Sequence, residues 1–400
     1  MKFLLQEMRL SVLVLCVYFV VPVGTSTVDD VKRLLDRANS SNYDKRIRPL
    51  KNQTNALEVT LGLILYSVIE FDNPKEALST SVQLLVNWKD ELLAWEKDEY
   101  GGIDGLRFPQ DDIWKPDLRL NNSYKSFTGF GSDDLTMKVT YDGNVSWFPI
   151  QALESQCSVN TKHFPFDTQT CSLIFESACY IASELKLSRV GEDGLKLTYY
   201  QDNSAWELTS TSTIEHEPGA VEFKLVLKRR PSYYMIHIFA PIILLTFLGP
   251  LAFVLPNEAR SSFAIGLFVT FGVFLTTVAS KLPQNSEETP YVSYYLVVMA
   301  VLNCIIVSIC IVQRRLVVEY ESKHHTGFFY RLAQTMGRIE PKKEPAQKMR
   351  CIEQKTERNE AEPNEASTVV NMNVADSRLF FFFLFNIFVG SVISYKMAHG

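Results

Sequence analysis

Short apolar runs separated by turn-forming residues occupy the stretch from residue 57 to residue 227. The clearest runs are 57–71, 78–88, 135–141, 145–150, 172–175, 185–187 and 221–227. Clusters of Asp, Asn, Gly and Pro fall between them. Short strands separated by such turn-forming residues are typical of a β-sandwich. Ahead of them, residues 28–38 place apolar side chains at helical spacing and predict a short amphipathic helix.

Four longer apolar runs follow, at residues 233–255, 261–282, 291–312 and 379–395. The first three are long enough to cross a bilayer as helices, and the fourth is slightly short. The predicted fold class is therefore a β-sandwich domain followed by an all-α four-helix transmembrane domain. Residues 313–378 are rich in Lys, Arg, Glu and Pro, and they predict a largely flexible segment.

The N-terminus sets the orientation of these runs. Residues 1–26 have the positive start, the apolar core and the small-residue end of a signal peptide. Export of residues 27–230 followed by four spans leaves 313–378 in the cytoplasm and both termini outside. Arg314 and Arg315 follow the third run and agree with this orientation. The prediction is a multi-pass protein of the plasma membrane, embedded in the lipid bilayer.

Composition and motifs narrow the function. The net charge of −5 gives no polybasic surface and argues against nucleic acid as a partner. The chain has no His-Glu-x-x-His, Gly-x-Ser-x-Gly or P-loop motif, so we predict no enzyme activity, no cofactor and no metal site. Glycosylation sequons, expected on an exported surface, begin at Asn39, Asn52, Asn121 and Asn144.

Three cysteines lie in the predicted extracellular part: Cys157, Cys171 and Cys179. Two of them can pair and one is left over. A bridge between Cys157 and Cys171 would close a loop whose cross-linking is worth roughly 3 kcal/mol. Cys179 would then be a buried free thiol or would be available to another partner, and the first of these is favoured.

The second apolar run has a polar stripe along one helical face. Its members are Ser262, Gly266, Val269, Val273, Thr276 and Ser280. Hydroxyls lie at the two ends and valines in the middle, so a ring of five such helices could enclose a pore with an apolar gate. The same stripe of small residues could instead be a seam between packed helices. The pattern alone does not choose between the two.

Several motifs together resemble the Cys-loop receptors, the pentameric ligand-gated ion channels, and nicotinic acetylcholine receptor subunits in particular. The first is the segment from Cys157 to Cys171, which encloses Phe164, Pro165, Phe166 and Asp167. The others are Trp88-x-Asp90-x-x-Leu93-x-Trp95, Arg107-Phe108-Pro109, Trp114-Lys115-Pro116-Asp117 and the run from Lys228 to Tyr234. The likeness covers essentially the whole mature chain. It implies a neurotransmitter-gated receptor channel of synapses that assembles as a pentamer with other Cys-loop subunits. It also implies that the β-sandwich is an extracellular ligand-binding domain.

The resemblance assigns roles to these residues. It implies a disulfide between Cys157 and Cys171. The gating interface would consist of Phe164, Pro165, Phe166, Asp167, Arg229, Asp72 and Glu70. Within it, the loop tip would meet the linker at 283–290, and Arg229 would pair with Asp72 or Glu70.

Acetylcholine sites of this family are aromatic cages at subunit interfaces, where ring faces attract a quaternary ammonium. Trp88 matches the complementary face unless it is a core tryptophan. On the principal face, Asn121 and Ala178 stand where the family usually has Tyr and Trp. We therefore predict a non-principal subunit of a heteropentamer that responds to acetylcholine or a related amine. The alternative is a receptor gated by a different transmitter.

Ion selectivity depends on Glu258-Ala259-Arg260, which come directly before the second run and would line the inner mouth of the pore. An exposed ring of Glu258 would favour cations, whereas an exposed ring of Arg260 would favour anions. The nicotinic resemblance favours cations, with anion conduction as the alternative. A membrane protein that binds or assembles without conducting is the remaining function class.

Overall fold

The computed structural model describes residues 26–38, 43–125, 129–132, 134–217, 219–281, 289–321, 380 and 383. The chain divides into two compact units. One, called here the sandwich unit, comprises the described residues up to Ser158 together with Gln169–Lys228. The other, the helical unit, comprises Val159–Thr168 and the described residues from Arg229 onwards.

Some predictions fall outside the described residues. They are the signal peptide apart from its last residue, the sequon at Asn39, most of the linker at 283–290, the cytoplasmic segment beyond residue 321, and the fourth span apart from Phe380 and Phe383. These stay predictions.

The predicted amphipathic helix is present as α1, Val28–Ala38. Thr27 stands directly before it, and its hydroxyl accepts a hydrogen bond from the Asp30 amide. In return, the Asp30 carboxylate accepts from the Thr27 amide at 2.9 Å. This reciprocal arrangement satisfies amide groups that the first helical turn leaves without partners.

Two β-sheets form the framework, which confirms the predicted sandwich. The strands are β1 (Leu57–Asp72), β2 (Ala77–Lys89), β3 (Gly105–Pro109), β4 (Leu118–Leu120), β5 (Thr136–Thr140), β6 (Asn144–Trp147), β7 (Ile150–Gln156), β8 (Thr168–Ser177), β9 (Leu185–Arg189), β10 (Leu195–Lys196), β11 (Trp206–His216) and β12 (Ala220–Arg229). The larger sheet runs β10-β1-β2-β6-β5-β3, with β7 also pairing with β2 and β9 with β1. The smaller sheet runs β11-β12-β8-β4.

The strands differ from the prediction where the sequence signal was weak. The single run at 145–150 is two strands, β6 and β7, because Pro149 has no amide hydrogen for a sheet ladder. Strand β11 was not predicted, since its Thr- and Ser-rich sequence is largely exposed and gives no apolar alternation. Strands β3, β4 and β10 are only two to five residues long.

Three helices follow the sandwich: α2 (Ser232–Val254), α3 (Asn257–Ala279) and α4 (Tyr291–Glu321). All three are long and apolar enough to cross a membrane. Helix α3 begins earlier than the predicted residue 261, so Glu258 lies in its first turn. Helix α4 continues past the predicted end at 312, into the segment that was expected to be flexible.

Candidate functional site: the Cys-loop, the ligand face and the pore helix

The structure joins Cys157 to Cys171 by a disulfide, with the two Cα atoms 5.2 Å apart. This confirms the predicted pair. The prediction that Cys179 is buried was wrong, because this free thiol is exposed. Cys179 comes just after the end of β8, where its amide donates to the Asp117 carboxylate. A hydrogen bond to the same carboxylate raises the pKa of the Cys179 thiol above its usual value.

Replacing both Cys157 and Cys171 with serine is expected to lower the free energy of unfolding by roughly 3 kcal/mol, because the unfolded chain regains the entropy of an open loop. Thermal unfolding of the purified receptor and surface biotinylation would measure the loss. Cys179→Ser is the matched control, since it removes an exposed thiol that is outside the bridge. Equal stability of the double variant and the control would contradict the prediction.

The tip of the disulfide loop packs within the helical unit. Phe164 is buried in a cluster with Ile238 and Ile242 of α2, Phe271 of α3 and Leu296 of α4. Its ring meets the Tyr234 ring edge-on at 5.0 Å. At the start of α4, the Tyr291 amide donates to the Lys162 carbonyl at 3.2 Å. The loop tip is thus held by apolar packing and by a backbone hydrogen bond.

Arg229 and Asp167 form a buried ion pair inside the same unit. The guanidinium donates through Nε at 2.7 Å and through a terminal nitrogen at 3.0 Å to the two carboxylate oxygens. Both side chains are only 2% exposed. The guanidinium carbon also lies 5.1 Å from the Phe164 ring and 5.4 Å from the Tyr234 ring. Two parallel charge-assisted bonds fix the orientation of both groups.

Asp167 is a partner of Arg229 that the sequence did not predict. The pairing of Arg229 with Asp72 or Glu70 that the resemblance implies stays a prediction. Asp72 accepts from the Lys75 ammonium at 2.6 Å. The sequence offered one signal for this partner, since Asp167 ends the loop-tip motif. Its pairing with a residue 62 positions away depends on tertiary folding.

Trp88 is not part of an exposed ligand face, so its assignment to the complementary face was wrong. It is 3% exposed and belongs to the inward row of β2, together with Val82, Leu84 and Val86. Its ring meets the edge of the Trp114 ring at 5.7 Å. Because side chains alternate between the two faces of a strand, Trp88 belongs to the core and cannot present a ring face to a ligand.

The predicted principal-face positions lie at opposite ends of the ladder between β4 and β8. The Asn121 amide donates to the Ile174 carbonyl, and the Ala178 amide donates to the Asp117 carbonyl at 2.9 Å. Both residues are exposed. Between them, the Arg119 Nε donates to the Glu176 carboxylate at 2.9 Å. This surface therefore carries an amide, an ion pair and a methyl group, with no aromatic ring at either predicted position.

A cavity of about 450 Å³ opens beside Ala178. Its walls include Asp117, Phe130 and Trp147. The Trp147 indole donates to the Gln110 side-chain oxygen at 3.2 Å, which fixes one wall. The small side chain of Ala178 leaves this space open toward the principal-face surface.

Helix α3 exposes the predicted polar stripe. All six members, Ser262, Gly266, Val269, Val273, Thr276 and Ser280, are exposed in the isolated chain. Val269 and Val273, in the middle of the stripe, are 60% and 61% exposed. The buried residues of α3 are Arg260, Ser261, Ala264, Phe271 and Val278. Among the residues that the structure describes, the stripe is thus not a seam between packed helices of one subunit, and its pore-lining role stays a prediction.

Arg260 does not belong to the exposed face, so its assignment to the pore was wrong. It is 4% exposed. Its guanidinium donates to the carbonyls of Phe253 and Leu255 at 3.0 and 2.9 Å, and to the Gln313 side-chain oxygen at 2.8 Å. Carbonyls at the end of a helix lack helical partners and attract cations, so Arg260 caps α2. Glu258 and Ala259 are exposed.

Comparison with known proteins agrees with this geometry. A family model described as the neurotransmitter-gated ion-channel ligand binding domain matches residues 31–231. A second, described as the neurotransmitter-gated ion-channel transmembrane region, matches residues 238–327. The first match alone covers half of the chain.

Three relatives illustrate the similarity. The rat acetylcholine receptor subunit epsilon is 30% identical over 72% of this chain and 62% of its own length. The Drosophila melanogaster acetylcholine receptor subunit beta-like 2 is 32% identical over 72% of this chain and 60% of its own length. The human acetylcholine receptor subunit gamma is 31% identical over 74% and 60%. The chain therefore spans about three fifths of the length of these relatives.

Two sheets joined by a disulfide-closed loop, three apolar helices and both family matches support the same conclusion. The family is one of ion channels and not of enzymes. The chain belongs to the neurotransmitter-gated ion-channel family and is similar to nicotinic acetylcholine receptor subunits.

Proposed function

We propose that this chain is a non-principal, cation-conducting subunit of a heteropentameric channel in the plasma membrane, gated by acetylcholine or a related amine. The observation that carries the non-principal role is the surface between Asn121 and Ala178. An organic cation needs ring faces there. This chain instead presents the Arg119–Glu176 ion pair, which has no net charge and offers no ring face to a cation.

The choice of acetylcholine or a related amine is supported by the relatives, which are named as acetylcholine receptor subunits. A neighbouring subunit would have to supply the aromatic principal face. The heteromeric assembly follows from this requirement, since five copies of this chain would provide no complete cage from the positions of Asn121 and Ala178.

Cation conduction is supported by the contrast between Glu258 and Arg260. Glu258 has an exposed carboxylate in the first turn of α3, close to the exposed stripe. Arg260 is buried, and its donors are taken up by carbonyl and amide oxygens. In a ring of five helices, the charge facing the lumen would be negative at this position and would concentrate cations.

Recording from oocytes tests the proposal. The chain would be expressed alone and with a nicotinic-type subunit that has aromatic residues at the positions of Asn121 and Ala178. We expect acetylcholine-evoked current only from the pair, with properties distinct from those of the partner alone. The reversal potential should follow sodium and not chloride. Current from this chain alone under another transmitter would overturn the non-principal role, and a chloride-dependent reversal would overturn cation conduction.

A further inference from the structure

A fully buried carboxylate lies at the end of β2 in the sandwich unit. Asp90 directly follows the last residue of this strand and is 0% exposed. The other buried aspartate, Asp167, is neutralised by Arg229. Within the part of the chain that the structure describes, no basic side chain forms an ion pair with Asp90. The charged form of such a carboxylate is disfavoured, because the interior solvates a charge less well than water does.

Three hydrogen bonds hold the Asp90 side chain. One carboxylate oxygen accepts from the backbone amides of Leu92 and Leu93, at 2.9 and 3.0 Å. The other oxygen accepts from the Tyr43 hydroxyl at 2.8 Å, and the Tyr43 oxygen accepts from the Trp114 amide at 2.9 Å. These five residues, called here the Asp90 cluster, join the loop before β1, the turn after β2 and the segment that leads to β4.

The hairpin between β5 and β6 lies against the backbone of Asp90. The Asp90 amide donates to the Gly143 carbonyl at 2.8 Å. Gly143 has a φ of +83°, and the Asp90 carbonyl leaves no room for a side chain at this glycine. The close approach of these two backbones helps to hold Asp90 where its side chain has no access to water.

The ionisable groups nearest to Asp90 do not offset its charge. Tyr43 is an uncharged donor, because its burial, together with the Asp90 carboxylate, raises the pKa of its hydroxyl. Glu91 adds a second negative charge beside Asp90. Burial therefore outweighs the three hydrogen bonds and raises the pKa of Asp90 to about 6.

The other charged groups on the surrounding elements are accessible to solvent, which screens them. They are Lys89 on β2, Asp142 in the hairpin, Asp44, Lys45 and Arg46 next to Tyr43, and Asp111, Asp112 and Lys115 next to Trp114. The Asp142 carboxylate accepts from the Thr140 hydroxyl at 2.6 Å, which lowers its pKa. The protonation of Asp90 is thus governed mainly by its own burial.

We propose that the Asp90 cluster is a pH switch, in which Asp90 is charged at neutral pH and takes up a proton from water in mild acid, so that the closed cluster becomes more stable. The oxygen that faces Tyr43 binds the proton and donates it in a hydrogen bond to the Tyr43 oxygen. The other oxygen continues to accept from both amides. Because Trp114 leads into β4, acid stabilises the support of the surface at Asn121. The inference goes beyond the proposed function and does not depend on it.

The direction of the effect follows from the closed and open forms of the cluster. When the cluster opens, Asp90 reaches water and its pKa returns to the ordinary value of 3.8. The closed form binds the proton more tightly, so its extra stability is complete below about pH 4 and is lost as the pH rises through about 6. Lowering the pH from about 7.5 to about 5.5 should therefore favour the closed form about fourfold.

Hydrogen–deuterium exchange of the full chain tests the inference without a partner subunit or a current. The detergent-solubilised protein would be compared at these two pH values, with each exchange rate divided by the intrinsic rate of the unfolded sequence at the same pH. Peptides that contain the amides of Leu92, Leu93 and Trp114 should gain about fourfold protection in acid. A wild-type chain whose protection is unchanged in these peptides would overturn the inference.

Three variants assign the effect to one carboxylate. Asp90→Asn has a similar shape and does not titrate, so protection should be equal at the two pH values. Asp142→Asn is the matched control, because this accessible carboxylate lies in the adjacent hairpin and its lowered pKa keeps it charged throughout this range. The fourfold gain should persist there. Tyr43→Phe removes a hydrogen bond that favours the charged form of Asp90, so the midpoint of the gain should move above about pH 6.

The variants also decide against the inference if they behave otherwise. A gain that survives in Asp90→Asn, or one that disappears in Asp142→Asn, assigns the pH dependence to another group and refutes the switch. If Asp90→Asn does not fold, the wild type and Tyr43→Phe decide. A midpoint that stays in place or falls in Tyr43→Phe refutes it, and a midpoint that rises supports it.

Discussion

Replacing Arg229 with alanine is expected to remove most of the receptor from the cell surface. The substitution would leave the Asp167 carboxylate buried without its guanidinium partner. Removing one member of a buried pair costs about 3–5 kcal/mol because an uncompensated charge stays in a low-dielectric site. Natural domains have only about 5–15 kcal/mol of stability in total. Surface biotinylation, together with thermal unfolding of the detergent-solubilised protein, would measure the loss.

Two further variants identify the cause. Lys228→Ala removes a neighbouring cation that is exposed, and it should leave surface expression unchanged. Arg229→Met combined with Asp167→Leu removes both charges and keeps apolar volume, so surface expression should largely return. If acetylcholine-evoked current returns together with surface expression, the two charges are not needed for gating. If surface expression returns without current, the charges themselves take part in gating. Equal surface expression of Arg229→Ala and Lys228→Ala would contradict the prediction.

Reversing the charge at Glu258 is expected to have the largest effect on conduction. In water, the interaction energy between a unit charge and an ion about 4 Å away is about 1 kcal/mol. This energy changes the local concentration of the ion about fivefold. Reversing the sign of the charge doubles the energy difference. In a tenfold dilution of sodium chloride, an ideally selective channel shifts its reversal potential by about 59 mV. Glu258→Lys should reduce this shift by at least half, whereas Glu258→Gln should reduce it less and lower the single-channel conductance.

Arg260→Gln tests why Glu258, and not Arg260, is expected to control ion selectivity. Because Arg260 caps the carbonyls of α2, its loss should lower the amount of receptor at the surface and leave the reversal potential of the remaining channels unchanged. A change of ion selectivity in Arg260→Gln, with none in Glu258→Lys, would show that the two residues had been assigned to the wrong faces of α3.

The two errors at Trp88 and Arg260 have related physical causes. A tryptophan in a strand can point to the core or to the outer surface of the sheet. An error of one residue in the assumed register exchanges these two faces and places a core ring on the ligand-binding surface. The register of β2 decides this, and it places Trp88 with Leu84 and Val86. For Arg260, the sequence showed a basic residue at the start of a helix, but the free carbonyls of Phe253 and Leu255 become its partners only after α2 and α3 fold back on each other.

The sequence by itself determined the family, the sandwich, the three helices and the disulfide, because each depends on local periodicity or on a motif of fixed spacing. It also determined that the polar stripe lies on one face of α3, since residues three and four apart share one face of any helix. Only the tertiary structure decided that Asp167 pairs with Arg229, that Arg260 is buried, and that Trp88 packs in the core against Trp114. Those three facts join residues far apart in the chain, and their energies depend on burial and distance, which no local pattern contains.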